Sequence, residues 1–314
     1  MRPIYLSGKK FILGLDIGGT KCAVVLGDEK MRIYDRLSFS TQPRRGWKRI
    51  LKQLFGSIDE ITGRNHLNPR SIQRVGVSCG GPLDSRRGLI LSPPNLPGWN
   101  RIPIVRLIQK KLKCPVRLEN DANACALAEW KFGAGRGFSN IIFLTFGTGL
   151  GAGLILNSRL YRGTNDMAGE AGHIRLEADG PAGYGKKGSF EGFCSGGGIA
   201  RMAKRQGIPA LTAKAICEAA NRGDKASLQI LQASGHYLGM GLSILLDLLN
   251  PERIIIGGIY SRNERLFRPE VLRIFRREAL SRSRSVCRIV PSALGEKIGD
   301  MASLSAALMD KWNP

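Results

Sequence analysis

Residues 14–21, GLDIGGTK, close an apolar run with an acid and follow it with two glycines, a hydroxyl and a lysine. That order suits phosphate. Gly18 and Gly19 let backbone N–H groups approach phosphate oxygens, Thr20 adds a hydroxyl beside Lys21, and Asp16 can orient a magnesium ion through its waters. The spacing is neither that of a GxxxxGK[ST] loop nor that of a dinucleotide fingerprint. A second turn, TFGTGLGAG at 145–153, places Gly147 and Gly149 around Thr148 and suits a tight hairpin beside a phosphate chain. Alone, either turn reads more readily as a bare glycine hairpin than as a phosphate site. Two of them in one chain, each closing a strand, favour a bound phosphate chain.

These turns need strands to hold them. Short apolar runs at 11–16, 75–79, 116–120, 141–146, 153–156 and 253–256 end in glycine or polar clusters and read as strands. Helix-like segments at 47–55, 104–112, 122–132, 199–205 and 230–249 alternate with them, so the class is α/β. Gly235, Gly239 and Gly241 in the last of these allow close approach of another backbone, and its His236 reads as a packed or partly exposed histidine. The strand followed by a small-residue turn occurs in each half of the chain, which suggests an internal duplication with one phosphate-binding turn per half. The expected domains are 1–125 and 126–300, with a last helix in 301–314 returning to the first.

The bulk composition of the 314 residues, 43% hydrophobic and 23% charged, is that of a folded globular protein. The longest uncharged stretch, 137–158, is broken by Gly147, Gly149, Gly151 and Gly153, which argues for two strands rather than a membrane helix. No export signal is recognised at the N-terminus. Seven scattered cysteines without a CxxC pair argue against a disulfide framework and a four-cysteine zinc site, and place the protein in the reducing cytoplasm. The net charge of +23 attracts polyanions of any kind. Its local cluster, Arg273, Arg276, Arg277, Arg282, Arg284 and Arg288, holds one aromatic residue, Phe275, and no series of them on which bases could stack, so it reads as a solvated face and no specific nucleic-acid partner is expected.

Seven ordered motifs give the chain a resemblance to the ROK family of sugar kinases and sugar-responsive repressors: LDIGGTK at 15–21, GGPLD at 80–84, NLPGW at 95–99, LENDANACALAEW at 118–130, LTFGTGLGAGLI at 144–155, GEAGHI at 169–174 and NPERIIIGG at 250–258. The resemblance implies two actin-like (ribonuclease H-like) α/β domains flanking a cleft, of the sugar-kinase/Hsp70/actin superfamily. It implies ATP and magnesium as cofactors, a small-molecule sugar as partner, and phosphorylation of a hexose or N-acetylhexosamine hydroxyl. Many members of the family form dimers, so a homodimer is compatible with it.

Carried over residue by residue, Asp121 becomes the general base; without the resemblance it reads equally well as a helix N-cap. Asn95, Asn120, Glu170, His173 and Glu191 become the sugar contacts, since amides and carboxylates each pair with one or two hydroxyls. Gly257 and Gly258 become candidates for the nucleotide base. The family holds a zinc ion with a histidine and three cysteines, and here Ala182, Tyr184 and Ser189 stand at the cysteine positions beside His173. Such side chains supply no soft thiolates, so no structural zinc is expected. Three other readings stay in view: a DNA-binding repressor, for which too few residues precede the first strand; a sugar binder without turnover; and inorganic polyphosphate as donor.

Overall fold

The structure, a computed structural model, describes residues 10–208 and 212–312. The first nine residues of the expected first domain and the last two of the expected 301–314 helix lie outside the described residues. Contacts divide the chain into two units, one of Met1–Ala128, Arg162–Met167 and Glu296–Pro314, the other of Glu129–Tyr161 and Ala168–Gly295. A cut at 125/126 with one return near 301 leaves out the excursion of Arg162–Met167 into the first unit, which no motif marks.

The sheet of the first unit contains β1 (Phe11–Ile17), β2 (Lys21–Gly27), β3 (Ile33–Ser40), β4 (Ile72–Cys79) and, after a small hairpin of β5 (Leu83–Asp84) and β6 (Leu89–Ile90), β7 (Val116–Asn120). Its order is β3-β2-β1-β4-β7. The pairs β1–β2 and β2–β3 are antiparallel, while β1–β4 and β4–β7 are parallel. Both faces of β1 are covered, so its sequence FILGLDI is apolar almost throughout rather than alternating. Phe11, Leu13, Leu15 and Ile17 enter the core shared with α1 (Trp47–Arg64) and α2 (Ile104–Leu112). Helix α1 reaches that core with Ile50, Leu54, Ile58 and Ile61, spaced along one helical stripe. On the alternate side chain positions, Gly14 and Gly76 face α11 (Ile298–Trp312): a Cβ at Gly76 would run into the Ser303 carbonyl and the Ala307 amide.

Helix α3 (Asp121–Phe132) carries the chain into the second unit. There β8 (Ile141–Phe146), β9 (Leu150–Leu156), β10 (Arg159–Tyr161), β13 (Arg253–Ile256) and β14 (Arg288–Pro291) form a sheet of order β10-β9-β8-β13-β14. Its topology repeats the first: an antiparallel meander on one side, and parallel pairing from β8 to β13 to β14 on the other. Between β10 and β13 lie a hairpin of β11 (Ala182–Gly183) and β12 (Lys186–Lys187), then α4 (Phe190–Phe193), α5 (Gly196–Arg205), α6 (Ala213–Asn221) and α7 (Lys225–Leu249). After β13 come α8 (Ile259–Arg262), α9 (Glu264–Glu278) and α10 (Ser281–Val286).

Asp224 caps α7 by accepting from Ser227 N at 2.8 Å, which starts this helix five residues before its apolar stripe. Gly239 lets α9 approach, a Cβ there falling 2.7 Å from Ile274 Cβ. His236 is half-buried on α7 with Nδ1 3.5 Å from Glu270. In the basic cluster, Arg273 pairs with Glu270 and Arg277 with Glu278 on exposed surface. All seven cysteines are free and six are buried. Among the described residues no helix is long and apolar enough to cross a membrane.

Candidate active site

The first glycine turn joins β1 to β2. Gly18 N donates to Lys21 O at 3.1 Å, closing the turn. Thr41, buried at the end of β3 and marked by no motif, fastens it from the side: its Oγ1 donates to Gly18 O at 2.6 Å and its amide to Thr20 O at 3.0 Å. Asn95 packs directly on the turn, since a Cβ at Gly19 would stand 2.6 Å from Asn95 Cβ. Thr20 and Lys21 are exposed.

Asp16 is the penultimate residue of β1, opposite Ser78 of β4, with Ile17 between it and the turn. Its carboxyl is pushed up to about 7 by burial first, then by the neighbouring charges of Asp121 and Asp300, against the pull of Lys21 and Arg36. Asp121 and Asp300 thus act on Asp16 through space, and among the described residues no group of three metal-ligating side chains stands close enough to hold an ion directly. A single carboxylate such as Asp16 is the kind of ligand used by a magnesium ion that keeps most of its waters.

Asn120 and Asp121 stand where β7 turns into α3. Asn120 Oδ1 accepts from Ala122 N at 2.9 Å and Asn123 N at 3.4 Å, so the cap of the helix is Asn120. Asp121 is the first helical residue, with Oδ1 on the same Ala122 amide at 2.8 Å. Its other oxygen lies beside Gly80, where a Cβ would stand 3.8 Å from Oδ2. The residue keeps solvent-accessible surface, yet the protein packed around its carboxyl pushes the pKa up.

In the second unit the β8–β9 turn is closed by Gly147 N donating to Gly149 O at 3.0 Å, with Thr148 exposed at its tip. Glu191 sits on this turn: its Oε2 accepts from Leu150 N at 3.0 Å, and a Cβ at Gly149 would stand 2.6 Å from the same oxygen. The N-terminus of α5 abuts it as well, Gly196 N donating to Gly147 O at 2.8 Å. Gly257 N donates to Leu144 O at 2.9 Å, and Gly258, at φ +66°, lies so close to the Phe146 carbonyl that no Cβ fits. Both glycines expected at the nucleotide base thus border the second turn.

The loop of Glu170 and His173 is laid along β9. Gly169 O accepts from Ala152 N at 2.8 Å, and Gly169 itself has φ +89°, open to glycine at little cost. Gly172 brings the loop against Glu191, a Cβ at that position falling 3.2 Å from Glu191 Cβ. Glu170 and His173 are both exposed. At the three positions where cysteines were looked for, Ala182 lies in the hairpin, Tyr184 sets its ring edge-on to the His173 ring at 6.1 Å, and Ser189 is buried. Ser189 Oγ accepts from Gly183 N and Gly192 N, both at 3.1 Å, which ties the hairpin to the first turn of α4 and so to Glu191.

Glu119, buried on β7 beside Asn120, is a residue the motif reading passed over although an ionisable group inside a strand's apolar run is a signal in itself.

Two sheets of one topology, each with a glycine turn at its leading hairpin, define an actin-like two-domain α/β protein. The chain belongs to the ROK family, whose family model matches residues 12–309. It is 31% identical to the glucokinase of Halalkalibacterium halodurans over 271 residues, 81% of either chain. It is also 30% identical to the xylose repressor of Bacillus spizizenii over 307 residues, covering 94% of this chain and 77% of the repressor. Among solved structures, a ROK family glucokinase from Streptomyces griseus in complex with glucose and AMPPNP superposes with a TM-score of 0.81 at 30% identity, covering 95% of this chain and 99% of the other.

Proposed function

We propose that the chain is an ATP-dependent sugar kinase that phosphorylates a hydroxyl of a hexose or N-acetylhexosamine, with Asp121 as general base. The observation that carries this reading is the end of β7. Asn120 caps the helix, and Asp121, the exposed first residue of that helix, has Oδ1 on the Ala122 amide and Oδ2 beside Gly80, which fixes the carboxyl at the end of the sheet where a base can meet a hydroxyl.

In this mechanism the sugar hydroxyl oxygen forms a bond to the γ-phosphorus of ATP while the bond from that phosphorus to the β,γ-bridging oxygen breaks, and ADP leaves. Asp121 takes the hydroxyl proton. Magnesium, when bound, supplies positive charge to the phosphate oxygens. The turns at Gly18, Gly19, Thr20 and Lys21 and at Gly147, Thr148 and Gly149 cradle the phosphates, the amides of Gly18 and Gly147 closing the turns so that the donors come from the residues after them, and Gly257 with Gly258 leaves room for the base. The sugar contacts are Asn95, Asn120, Glu170, His173 and Glu191. Because Asn120 Oδ1 is committed to the cap, its Nδ2 is the group offered to the sugar. By the same reasoning Glu191 presents Oε1, its Oε2 being held by Leu150 N. The free, mostly buried thiols suit a reducing compartment such as the cytoplasm.

ADP release from ATP and magnesium against a panel of hexoses and N-acetylhexosamines tests the proposal. Turnover with at least one sugar is expected. No turnover with any sugar, with ATP or polyphosphate as donor, in a preparation that still binds a sugar would make the protein a non-catalytic sugar binder.

A further inference from the structure

The chain leaves the second unit after Tyr161, makes Arg162–Met167 part of the first, and returns at Ala168. Two side chains fix this strap. Arg162 donates from Nε and Nη2 to Glu119 Oε2, at 2.8 and 2.7 Å, and its Nη2 lies 3.3 Å from Met309 Sδ on α11. Asp166, near the other end, accepts from Ser85 N at 2.7 Å and Ser85 Oγ at 3.0 Å.

Glu119 has almost no side-chain exposure. Its second oxygen, Oε1, accepts from Asn120 N at 3.0 Å and Asn123 Nδ2 at 2.9 Å. The two groups it grips therefore flank Asp121 in the chain. Burial pushes the Glu119 carboxyl up, and the Arg162 guanidinium is the foremost influence pulling it back down. Without that cation a carboxylate so enclosed would protonate or draw in water, and a protonated acid is a weaker acceptor for the Asn120 amide.

Stability alone does not call for this arrangement, because a buried ion pair is commonly replaceable by apolar side chains without loss. A packed apolar pair, however, offers no acceptor to Asn120 N. The pair is thus a device of direction rather than of cohesion.

We propose that Arg162 is a positioning residue for the base: through Glu119 it fixes the peptide that carries Asn120 into Asp121. The strap is pinned a second time within the first unit by Asp166, which holds Ser85. This inference rests on the reading of Asp121 as general base.

The test compares Arg162→Lys, Arg162→Met and the double variant Glu119→Leu/Arg162→Met with the parent, by ADP-release kinetics and thermal melting. Displacement of a catalytic group by about an ångström costs roughly 10²-fold in rate. Arg162→Met is expected to lose kcat on that scale with the KM for ATP little changed, and Arg162→Lys, which keeps the cation, to recover part of the loss. The double variant is expected to melt near the parent temperature and remain slow. A double variant that regains both melting temperature and kcat, or an Arg162→Met protein that loses only melting temperature, overturns the proposal. Asp121→Asn is run alongside: if it is fully active the base assignment itself has failed, whereas an inactive Asp121→Asn beside a fully active double variant sinks only the positioning role. Should Arg162→Met fail to fold, the double variant carries the test alone.

Discussion

Asn120 Oδ1 accepts the Ala122 amide at 2.9 Å, and Asp121, next in the chain, shares that amide with only one of its two oxygens. The cap is thereby carried by Asn120, which leaves the second oxygen of Asp121, the proposed base, outside it. Replacing Asn120 by Ala removes the cap and is expected to cost about 1 kcal/mol of stability. Asn120→Asp restores an acceptor for the cap but not the Nδ2 donor. It is therefore expected to melt near the parent while its sugar KM stays high, which calorimetric melting and steady-state kinetics together would show. Recovery of both would remove Asn120 from the sugar site.

Asp16 supplies a pH dependence with a definite sign. Its folded pKa is raised to about 7 from an ordinary carboxyl value of 3.8. The folded state therefore binds the proton more tightly than the unfolded chain, and the stability this contributes is fully present below the ordinary value and is lost as pH rises through 7. Relative to Asp16→Asn, the parent melting temperature is expected to fall between pH 4 and pH 8. Added magnesium is expected to raise the parent melting temperature more at pH 8 than at pH 5, because the ionised carboxylate is the form that attracts the cation. Equal slopes in parent and variant would show that Asp16 titrates normally.

Glu191, proposed as a sugar contact, holds the second glycine turn through Leu150 N. Glu191→Ala leaves Leu150 N without its acceptor at 3.0 Å, a half-buried loss of about 1–3 kcal/mol, and removes an oxygen offered to the sugar. Sugar KM is expected to rise by more than ATP KM. A change confined to ATP KM would place Glu191 with the nucleotide instead.

Two glycines predict opposite outcomes for one substitution. Gly76→Ala drives a methyl into the α11 backbone and is expected to cost about 1–3 kcal/mol or more. At Gly56, an exposed position inside α1, a Cβ meets nothing within 4 Å, so Gly56→Ala is expected to stabilise by about 0.5–1 kcal/mol. Denaturant melts of the two variants check the packing of α11 on β1 and β4 directly.

Much of the framework was legible because it rests on local chemistry. Apolar runs that stop at an acid or a glycine pair located β1, β8 and β13, and the paired glycine turns announced two sheets of one kind. Other features depend on contacts that no local pattern records. Strand β9 begins at Leu150, three residues before the expected 153, because Gly151 and Gly153 hide the apolar run. On the facing loop it is Gly169, where a Cβ would stand 2.0 Å from Ala152 O, that permits the close approach to β9. Edge strand β3, IYDRLSFS, carries an acid and a base between half-buried residues and has no apolar run to find. Arg162 in the strap and Thr41 behind the first turn are single polar residues whose partners lie 43 and 23 residues away, and Ser189 under α4 takes its role from a hairpin fold that its own sequence does not mark. Their meaning is set by where Glu119, Gly18 and Gly183 end up.

The base assignment is the centre of this account, and the kcat of Asp121→Asn on the best sugar, measured beside the affinity of the same variant for that sugar, tests it most directly. General-base removal is worth roughly 10²–10⁴ in rate. The account predicts a loss of at least that size with sugar binding retained, since the substitution keeps the shape of the side chain and removes only its ability to take a proton. A variant that binds the sugar and turns over within a few-fold of the parent would contradict it.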